Sequence, residues 1–515
     1  MAYTIVLAAV VSAMVLYHLV LQRRSSVQWI AGPPSPSWIF GHMRQLLLST
    51  KFGDHEFQWL KVYGSVYRLK GCFWQDRLMV ADPVALQYIL NSPSFYRSPV
   101  KDNTAYLLFG ENSVITATGN EHRRLRYALN VGFTSTAVRD YQMMFQKAAE
   151  MISDDFEKFP TTASDISRIL STASLAAISE AIMGVSHKDL GNDFVENSIK
   201  VVKLSGTQSD GHLLVDWIGL YLPRWLWRVV TSLPTATFNA ARTERHLAKQ
   251  IGGQIVRDKK DAARQRLEPG DDLFSRLLNR QSADEAKILP EDDIIDQTAL
   301  MVVAGQENTA NALAFGLMEL ARHPEFQHKL RAEIHATGAG GGNVGYENMP
   351  LLNAFIKETL RLYPGLPLSD RIVGQDTVIP LGESITTLDG RRINQIPVSK
   401  GQLVTIAISS YQRFDSHWGK DAHEFHPYRW LDGSISQREA VGPYANLLTF
   451  LGGPRTCLGW RFAISELQII FCEVVGRFSF TEPEDEPARP RFMSSLQPII
   501  ATGGKALPLC VTPLS

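Results

Sequence analysis

The 515-residue sequence has few cysteines, no excess of charge of either sign, and no serine-hydrolase, zinc-protease or Walker motif. Lysine and arginine number 52, as do aspartate and glutamate, so no global field would recruit nucleic acid or an anionic substrate. The four cysteines are too scattered for a disulfide framework or a zinc pair, which favours a reducing environment. G-x-S-x-G, H-E-x-x-H and Walker motifs are missing, which argues against a serine hydrolase, a zinc protease and an ATPase.

The N-terminus has the composition of a membrane anchor. The first 22 residues contain no Asp, Glu, Lys or Arg, and residues 5–21 are almost wholly apolar. About twenty helical residues cross the hydrocarbon core of a bilayer, so residues 1–22 are predicted to form one N-terminal transmembrane helix. Arg23 and Arg24 should stay cytosolic by the positive-inside rule. A cleaved signal peptide is the alternative, but a basic start and a clear cleavage site are lacking.

The remainder of the chain is predicted to be a short linker and one large domain. Residues 23–39 are basic and proline-rich, and consecutive prolines exclude regular helix there. No long low-complexity segment divides residues 40–515. Helical periodicity dominates from about residue 90 to 360, and strand-like runs occur at 66–69, 77–80, 378–380 and 402–406. The fold class is therefore predicted to be mainly α with small β-sheets.

Cys457 is the best candidate for a reactive centre. It lies in the loop Phe450-Leu451-Gly452-Gly453-Pro454-Arg455-Thr456-Cys457-Leu458-Gly459, before a helical pattern that begins at Trp460. A thiol at a helix N-terminus faces unpaired N–H groups and the positive end of the dipole, which favour the metal-ligating thiolate. Gly453 and Gly459 would let the backbone approach a flat ligand, and Arg455 offers donors to a carboxylate. The loop predicts a site for a metal with an acidic organic ligand; a buried structural cysteine is the alternative.

A second candidate lies in the longest helical pattern, from about Asp292 to Arg322. Its apolar middle predicts burial, yet small and polar residues interrupt it at Ala304-Gly305-Gln306-Glu307-Asn308-Thr309. Glycine inside a helix costs roughly 1 kcal/mol relative to alanine, and a buried acid costs more unless it is paired. We interpret the segment as a groove where a small ligand lies and where Glu307 and a hydroxyl supply protons. Packing against a neighbouring helix is the alternative.

The cysteine loop resembles the heme-binding signature F-x-x-G-x-R-x-C-x-G of the cytochrome P450 superfamily at every fixed position. The resemblance covers residues 30–505, with five motifs in family order, and the N-terminal anchor resembles that of the microsomal eukaryotic branch, including its fungal members. The resemblance implies a cytochrome P450 fold preceded by the anchor, with residues 40–515 as a heme-thiolate catalytic domain. It also implies heme b as the cofactor and Cys457 as the iron ligand.

The resemblance assigns further residues to the cofactor. His122 and Arg126 fall where the family has W-x-x-x-R for the heme propionates, and Arg371 matches another propionate-binding arginine. The remaining cofactor-binding positions belong to the cysteine loop: Phe450, Arg455, Cys457 and Gly459. The family's structural triad, which locks the core around that loop, corresponds to Glu358, Arg361 and Arg429.

The distal helix departs from the family pattern at one position. Ala304, Gly305, Glu307 and Thr309 match A-G-x-[DE]-T-[TS], but Asn308 replaces the threonine that relays protons. An amide can hold a water but cannot relay a proton as a hydroxyl does. Because adjacent helical residues point about 100° apart, Thr309 could substitute only if the helix were rewound. Glu307, Asn308 and Thr309 remain the predicted catalytic residues.

The predicted function is a monooxygenase that hydroxylates or otherwise oxidises a lipophilic small molecule, such as a terpenoid or other specialised metabolite, or a xenobiotic. The resemblance implies O2 as co-substrate and NADPH-cytochrome P450 reductase as electron donor, with cytochrome b5 as a second candidate and no nucleic-acid partner. It implies a single-pass protein of the endoplasmic reticulum membrane with its catalytic domain facing the cytosol. Pocket-lining segments are predicted at 104–115, 201–233, 303–307, 365–369 and 496–502.

Two other classes remain open for this sequence. A heme-thiolate isomerase, dehydratase or peroxide-dependent enzyme would need no relay threonine, so Asn308 would suit it. An inactive heme-binding membrane protein is the non-enzymatic alternative, against which the complete cysteine loop and triad argue. Dependence on oxygen and NADPH distinguishes these classes.

Overall fold

The computed structural model describes residues 25–160, 162–265, 270–279, 288–338, 345–433, 435 and 440–514. The transmembrane helix predicted at residues 1–22 lies outside these described residues. Within them, no helix combines the length and the apolar character needed to cross a bilayer.

Helices form most of the described chain, which confirms the predicted mainly α class. The first half contains α1 (Met43–Leu47), α2 (Glu56–Tyr63), α3 (Pro83–Asn91), α4 (Pro99–Phe109), α5 (Gly119–Leu129), α6 (Ser135–Asp140), α7 (Gln142–Glu157), α8 (Ser167–Met183), α9 (Asn192–Gly206), α10 (Asp210–Gly219), α11 (Arg224–Ser232) and α12 (Ala236–Arg264). The second half contains α13 (Leu273–Leu278), α14 (Glu291–Ile295), α15 (Thr298–Arg322), α16 (Pro324–Ala336), α17 (Pro350–Leu362), α18 (Ile408–Tyr411), α19 (Asp415–Trp418) and α20 (Trp460–Arg477).

The strands form small sheets beside the helices. They are β1 (Val66–Lys70), β2 (Asp76–Val80), β3 (Phe95–Arg97), β4 (Ser164–Asp165), β5 (Leu368–Val373), β6 (Thr377–Thr386), β7 (Arg392–Val398), β8 (Leu403–Ala407), β9 (Phe478–Thr481), β10 (Arg489–Phe492), β11 (Leu496–Ile499) and β12 (Pro508–Pro513). The largest sheet has the order β1-β2-β8-β5-β3, with β2 and β8 parallel. The predicted strands near residues 66, 77, 378 and 402 correspond to β1, β2, β6 and β8.

The long central helix begins later than its sequence pattern predicted. The pattern extended from about Asp292, but α14 ends at Ile295 and α15 begins at Thr298. Between them, the buried Gln297 amide donates to the carbonyls of Asp293 at 2.7 Å and Asn112 at 2.9 Å, and it accepts the Val114 N–H at 3.0 Å. The helical pattern is thus interrupted where the Gln297 side chain forms hydrogen bonds with the loop that follows α4.

The proline-rich segment predicted as a linker packs against the domain. Val27 and Ile30 are buried in the core, and Ile30 bridges to Thr387 beside the β6–β7 hairpin. The Arg68 N–H donates to the Ala31 carbonyl at 2.9 Å. The domain boundary at residue 40 stays a prediction, but residues from 25 onward are not a free spacer.

Helix α15 passes through the core and positions the site. It contacts α8, α17 and α20, and all residues from Thr309 to Ala321 are buried. Helix α20, which follows the cysteine loop, packs against α7, α15 and α17. The loop at the start of α20 is therefore held by the same helices that hold the middle of α15.

Candidate active site

The cysteine loop is a tight turn fixed by its own backbone. The Cys457 N–H donates to the Phe450 carbonyl at 2.8 Å, and Gly453–Arg455 form one turn of 3-10 helix between them. Leu451 and Gly453 both adopt positive φ angles, of 56° and 66°. Helix α20 begins at Trp460, as predicted, with Gly459 at its N-cap and the Gly459 N–H directed at the Cys457 sulfur.

The loop glycines serve contacts within the protein. A Cβ atom on Gly453 would lie 2.4 Å from the Leu90 carbonyl oxygen, so this residue is needed for close backbone contact as well as for its φ angle. A Cβ on Gly459 would meet the Phe133 ring at an ordinary 3.6 Å. The structure therefore explains Gly453 by packing against α3 rather than by approach to a flat ligand.

The Cys457 thiol faces an open space inside the protein. Its side chain is exposed, yet it lies far enough from bulk water that desolvation raises the pKa of the thiol. The Gly459 N–H and the positive charge of Arg126 act in the opposite direction and favour the thiolate. The Gly459 N–H and the Arg126 charge would therefore stabilise an anionic sulfur bound to a metal.

Three of the predicted cofactor-binding cations converge near this loop, together with His122. Arg455 donates to the Ala117 carbonyl at 2.7 Å, and Arg371 donates to the Ser369 hydroxyl at 2.8 Å. Arg126 and the buried His122 lie one turn apart on α5. The structure thus brings together residues that are up to 333 positions apart in the sequence.

Arg97 is a member of this cluster that the sequence did not reveal. It lies opposite Arg371 in the β3–β5 pairing, donates to the Ile115 carbonyl at 2.6 Å and forms an ion pair with Asp102 at 2.5 Å. No motif marks Arg97, because only the strand register places it beside Arg371. Its charge contributes to the lowered pKa values of His122, Arg371 and Arg455.

The cluster carries more positive charge than its protein neighbours neutralise. Desolvation, and then the charge of Arg97, lowers the pKa of both Arg371 and Arg455 to about 10. Burial and three nearby arginines lower the pKa of His122 to about 4, so its ring is neutral and keeps one N–H donor. Among the described residues, Asp102 is the one acid that forms an ion pair with this cluster. Two carboxylates of a bound ligand would correct the imbalance.

This donor set fits heme b. A cysteine sulfur open to an internal space can ligate iron, and guanidinium groups bind carboxylates through paired N–H donors. Heme b carries two propionates, which match the excess of buried positive charge. The residues that would hold it are Cys457 for the iron and Arg97, Arg126, Arg371, Arg455 and His122 for the propionates.

The middle of α15 forms a groove. Ala304 and Asn308 are exposed one turn apart on a helix that is otherwise largely buried, so they face an internal space. The Asn308 Nδ2 donates to the Ala304 carbonyl at 3.0 Å. Gly305 lies on another face, where a Cβ would come within 2.5 Å of the Ile178 side chain on α8. The exposed Ala304 and Asn308 lie where the groove was predicted, whereas Gly305 serves helix packing, the alternative left open by the sequence.

The three predicted catalytic residues point in different directions. Glu307 lies at the edge of the groove and forms an ion pair with Lys505 at 2.7 Å. Thr309 is buried, and its hydroxyl lies near the carboxyl of Glu466 on α20, which lowers the pKa of that group against a larger increase from burial. Asn308 alone presents its side chain to the groove. Neither Lys505 nor Glu466 belongs to a sequence motif that would have identified it.

The predicted triad is joined by direct hydrogen bonds in the core. Arg361 donates to both carboxylate oxygens of Glu358, at 2.8 and 2.9 Å, and Arg429 donates to the same group at 3.0 Å. Burial alone would raise the pKa of Glu358, but the two arginines outweigh it and hold the pKa below its ordinary value. Arg361 also donates to the carbonyls of Gln412 and Ala422 at 2.7 and 2.6 Å. The triad therefore fastens the chain after β8 to α17.

Comparison with known proteins agrees with this geometry. The chain matches the cytochrome P450 family over residues 31–503. Cytochrome P450 monooxygenases 212 and 219 of Postia placenta are 32% and 31% identical over 485 and 481 residues, which cover 88% of this chain and 88% and 87% of the relatives. Cytochrome P450 monooxygenase claW of Ampulloclitocybe clavipes is 29% identical over 489 residues, covering 90% of this chain and 88% of its own. With the family matched over nearly the whole chain, this protein belongs to the cytochrome P450 family and is a heme b-dependent monooxygenase.

Proposed function

We propose that this monooxygenase oxidises a lipophilic small molecule of specialised metabolism at the endoplasmic reticulum membrane, with electrons from NADPH-cytochrome P450 reductase. The observations that carry the proposal are the exposed Cys457 sulfur beside the arginine cluster and the exposed residues Ala304 and Asn308 in the middle of α15. Heme b, when bound, supplies the oxygen-activating chemistry, and the protein supplies ligation, orientation and control of protons.

The chain's own residues have separate tasks in this proposal. The Cys457 thiolate would ligate the iron, and the arginine cluster would orient the cofactor by its propionates. Glu307, held by Lys505 at the edge of the groove, is the acid placed to pass protons inward. Asn308 occupies the surface against which the substrate would lie.

An exposed apolar face supports action at a membrane. On α11, Trp225 and Val229 are 66% and 54% exposed and lie one turn apart. Trp38 is 50% exposed and packs edge-on against Phe73, whose ring lies 4.5 Å from that of Trp217 on α10. Tryptophan is favoured at the membrane–water interface, and an amphipathic helix can lie in that plane. We propose that this face rests on the membrane, beside the anchor predicted at residues 1–22, with the domain in the cytosol.

We propose that the reductase approaches near the C-terminal end of the cysteine loop, where α20 begins. Arg461 is exposed in the first turn of α20 and stacks on the Trp460 ring at 4.1 Å. On α5, Arg124 is less available to a partner because it forms ion pairs with Glu121 and Asp293. We propose Arg461 as the cation near Cys457 that contacts an acidic electron-transfer partner.

The test begins with the spectrum of the reduced, carbon-monoxide-bound protein, whose Soret position reports thiolate ligation. Wild type and Cys510→Ser should give the long-wavelength band, and Cys457→Ser should lose it while keeping its helical content. The second step measures oxygen and NADPH consumption with added reductase and lipophilic substrates. A thiolate spectrum with product formed anaerobically, without reductant, would replace the monooxygenase proposal by an isomerase or dehydratase.

A further inference from the structure

Among the described residues that are exposed in the groove of α15, Asn308 is the one with a polar side chain. The neighbours of Asn308 in the sequence are already engaged, since Glu307 pairs with Lys505 and Thr309 is buried beside Glu466. Ala304, the other exposed residue of this face, has no polar side chain. Recognition of a polar substrate group by the side chains of this face therefore falls to Asn308.

The orientation of the Asn308 amide is fixed by its bond to the helix. Only the NH2 end of the amide can donate to the Ala304 carbonyl, so the 3.0 Å contact identifies Nδ2 and places Oδ1 on the other side. Oδ1 then faces Gly365 in the turn between α17 and β5, where a Cβ would approach to 2.9 Å. The missing side chain at residue 365 leaves room beside this acceptor.

The exposed acceptor has a definite energetic consequence. In the part of the chain that the structure describes, no protein donor lies within hydrogen-bond distance of Asn308 Oδ1. A ligand that covers this oxygen without offering a donor loses the hydrogen bond that water would have made, whereas a ligand with a hydroxyl keeps it. A site built around a fixed polar group discriminates most strongly against analogues that lack the matching group.

We infer that Asn308 is a specificity-determining residue that accepts a hydrogen bond from a hydroxyl of the substrate. The preferred substrates are then lipophilic alcohols whose hydroxyl lies near the carbon that is oxidised, rather than plain hydrocarbons. The inference rests on the proposed function, and it gives the residue at the relay position a role in binding the substrate.

The test uses N-alkylimidazoles, because an imidazole nitrogen binds heme iron and shifts the Soret band whatever the natural substrate is. Pairs of equal length, one ending in a hydroxyl and the other in a methyl, are titrated into wild type, Asn308→Leu and Asn308→Thr over a series of chain lengths. At one length, the affinity of the hydroxyl probe relative to its methyl partner should be about 3- to 10-fold higher in wild type than in Asn308→Leu. The threonine hydroxyl can still accept a hydrogen bond, so Asn308→Thr should keep part of the preference.

Asn311→Leu is the matched control, since Asn311 is buried one turn further along α15. It should keep the wild-type preference at every length. A hydroxyl-to-methyl ratio that is the same in wild type and Asn308→Leu throughout the series would overturn the inference. That result with an intact thiolate spectrum leaves the proposed function standing, whereas loss of the thiolate spectrum in wild type would reject the function itself.

Discussion

Glu466 carries the clearest link between burial and stability in this protein. It lies on α20 with none of its surface exposed, and the Ser174 and Thr309 hydroxyls lie beside its carboxyl group. Burial raises the pKa of Glu466 from 4.5 to about 8, against a smaller lowering by the nearby Ser174 and Thr309 hydroxyls. The folded protein therefore holds a neutral carboxylic acid at neutral pH.

The raised pKa makes stability fall as the pH increases. Between pH 4.5 and 8 the folded chain holds one proton that the unfolded chain has released, so each pH unit costs about 1.4 kcal/mol of unfolding free energy. The total loss is about 5 kcal/mol above pH 8, and about 3 kcal/mol of it is already present at pH 7. In Glu466→Gln the neutral amide has nearly the same shape and does not titrate, so this loss disappears.

Thermal unfolding of wild type and Glu466→Gln at pH 5, 7 and 9 measures the effect. For a chain of this size, 1 kcal/mol corresponds to roughly 1 °C in Tm, so the Tm difference should move in favour of the variant by about 3 to 5 °C from pH 5 to pH 9. If the glutamine side chain also changes the free energy of unfolding by an amount that does not depend on pH, the trend of the Tm difference with pH stays the same. Glu484→Gln is the control, because Glu484 is exposed to water. A Tm difference that is independent of pH would show that Glu466 is not held neutral by burial.

Three further variants test other parts of the structure. Glu358→Gln removes the buried carboxylate that Arg361 and Arg429 share, leaves Arg429 its ion pair with Asp421, and should cost about 3 to 5 kcal/mol, measured as a lower Tm and less heme-loaded protein. Glu307→Gln should lower the product formed per NADPH by about tenfold or more if this acid supplies protons, and Thr309→Val should change that ratio far less; equal effects would contradict the separate orientations of the two side chains. Arg461→Glu should slow reduction by the reductase about tenfold at low salt and less at high salt, whereas Arg392→Glu on the β6–β7 hairpin should not; equal slowing would exclude docking at Arg461.

The residues that sequence analysis identified correctly are those whose environment is local. The β1 and β2 strands, the start of α20 at Trp460 and the groove at Ala304 follow from periodicity, turn residues and composition within a few positions. The hydrogen bond from Cys457 to Phe450 likewise closes within one loop. For such features, short-range backbone geometry decides the structure.

The features that were missed depend on contacts between distant segments. Arg97 joins the cofactor cluster only because β3 pairs with β5, and Lys505 reaches Glu307 across almost 200 positions. Gly305 was expected to face a ligand, but it lies where α8 packs against α15. Single-sequence patterns contain no information about strand register or about which helix covers a given face.

The triad also has a consequence for the order in which the protein assembles. Arg361 binds carbonyls 51 and 61 residues further along the chain, and the Thr449 hydroxyl donates to the Leu360 carbonyl across 89 residues. Closing loops of this length costs chain entropy before any of these bonds can form. The segment that leads into the cysteine loop is therefore expected to reach its final position only after α17 and the chain that follows β8 have come together. Cofactor capture would then be a late step of biogenesis, and heme supply would limit the yield of heme-loaded protein rather than of folded chain.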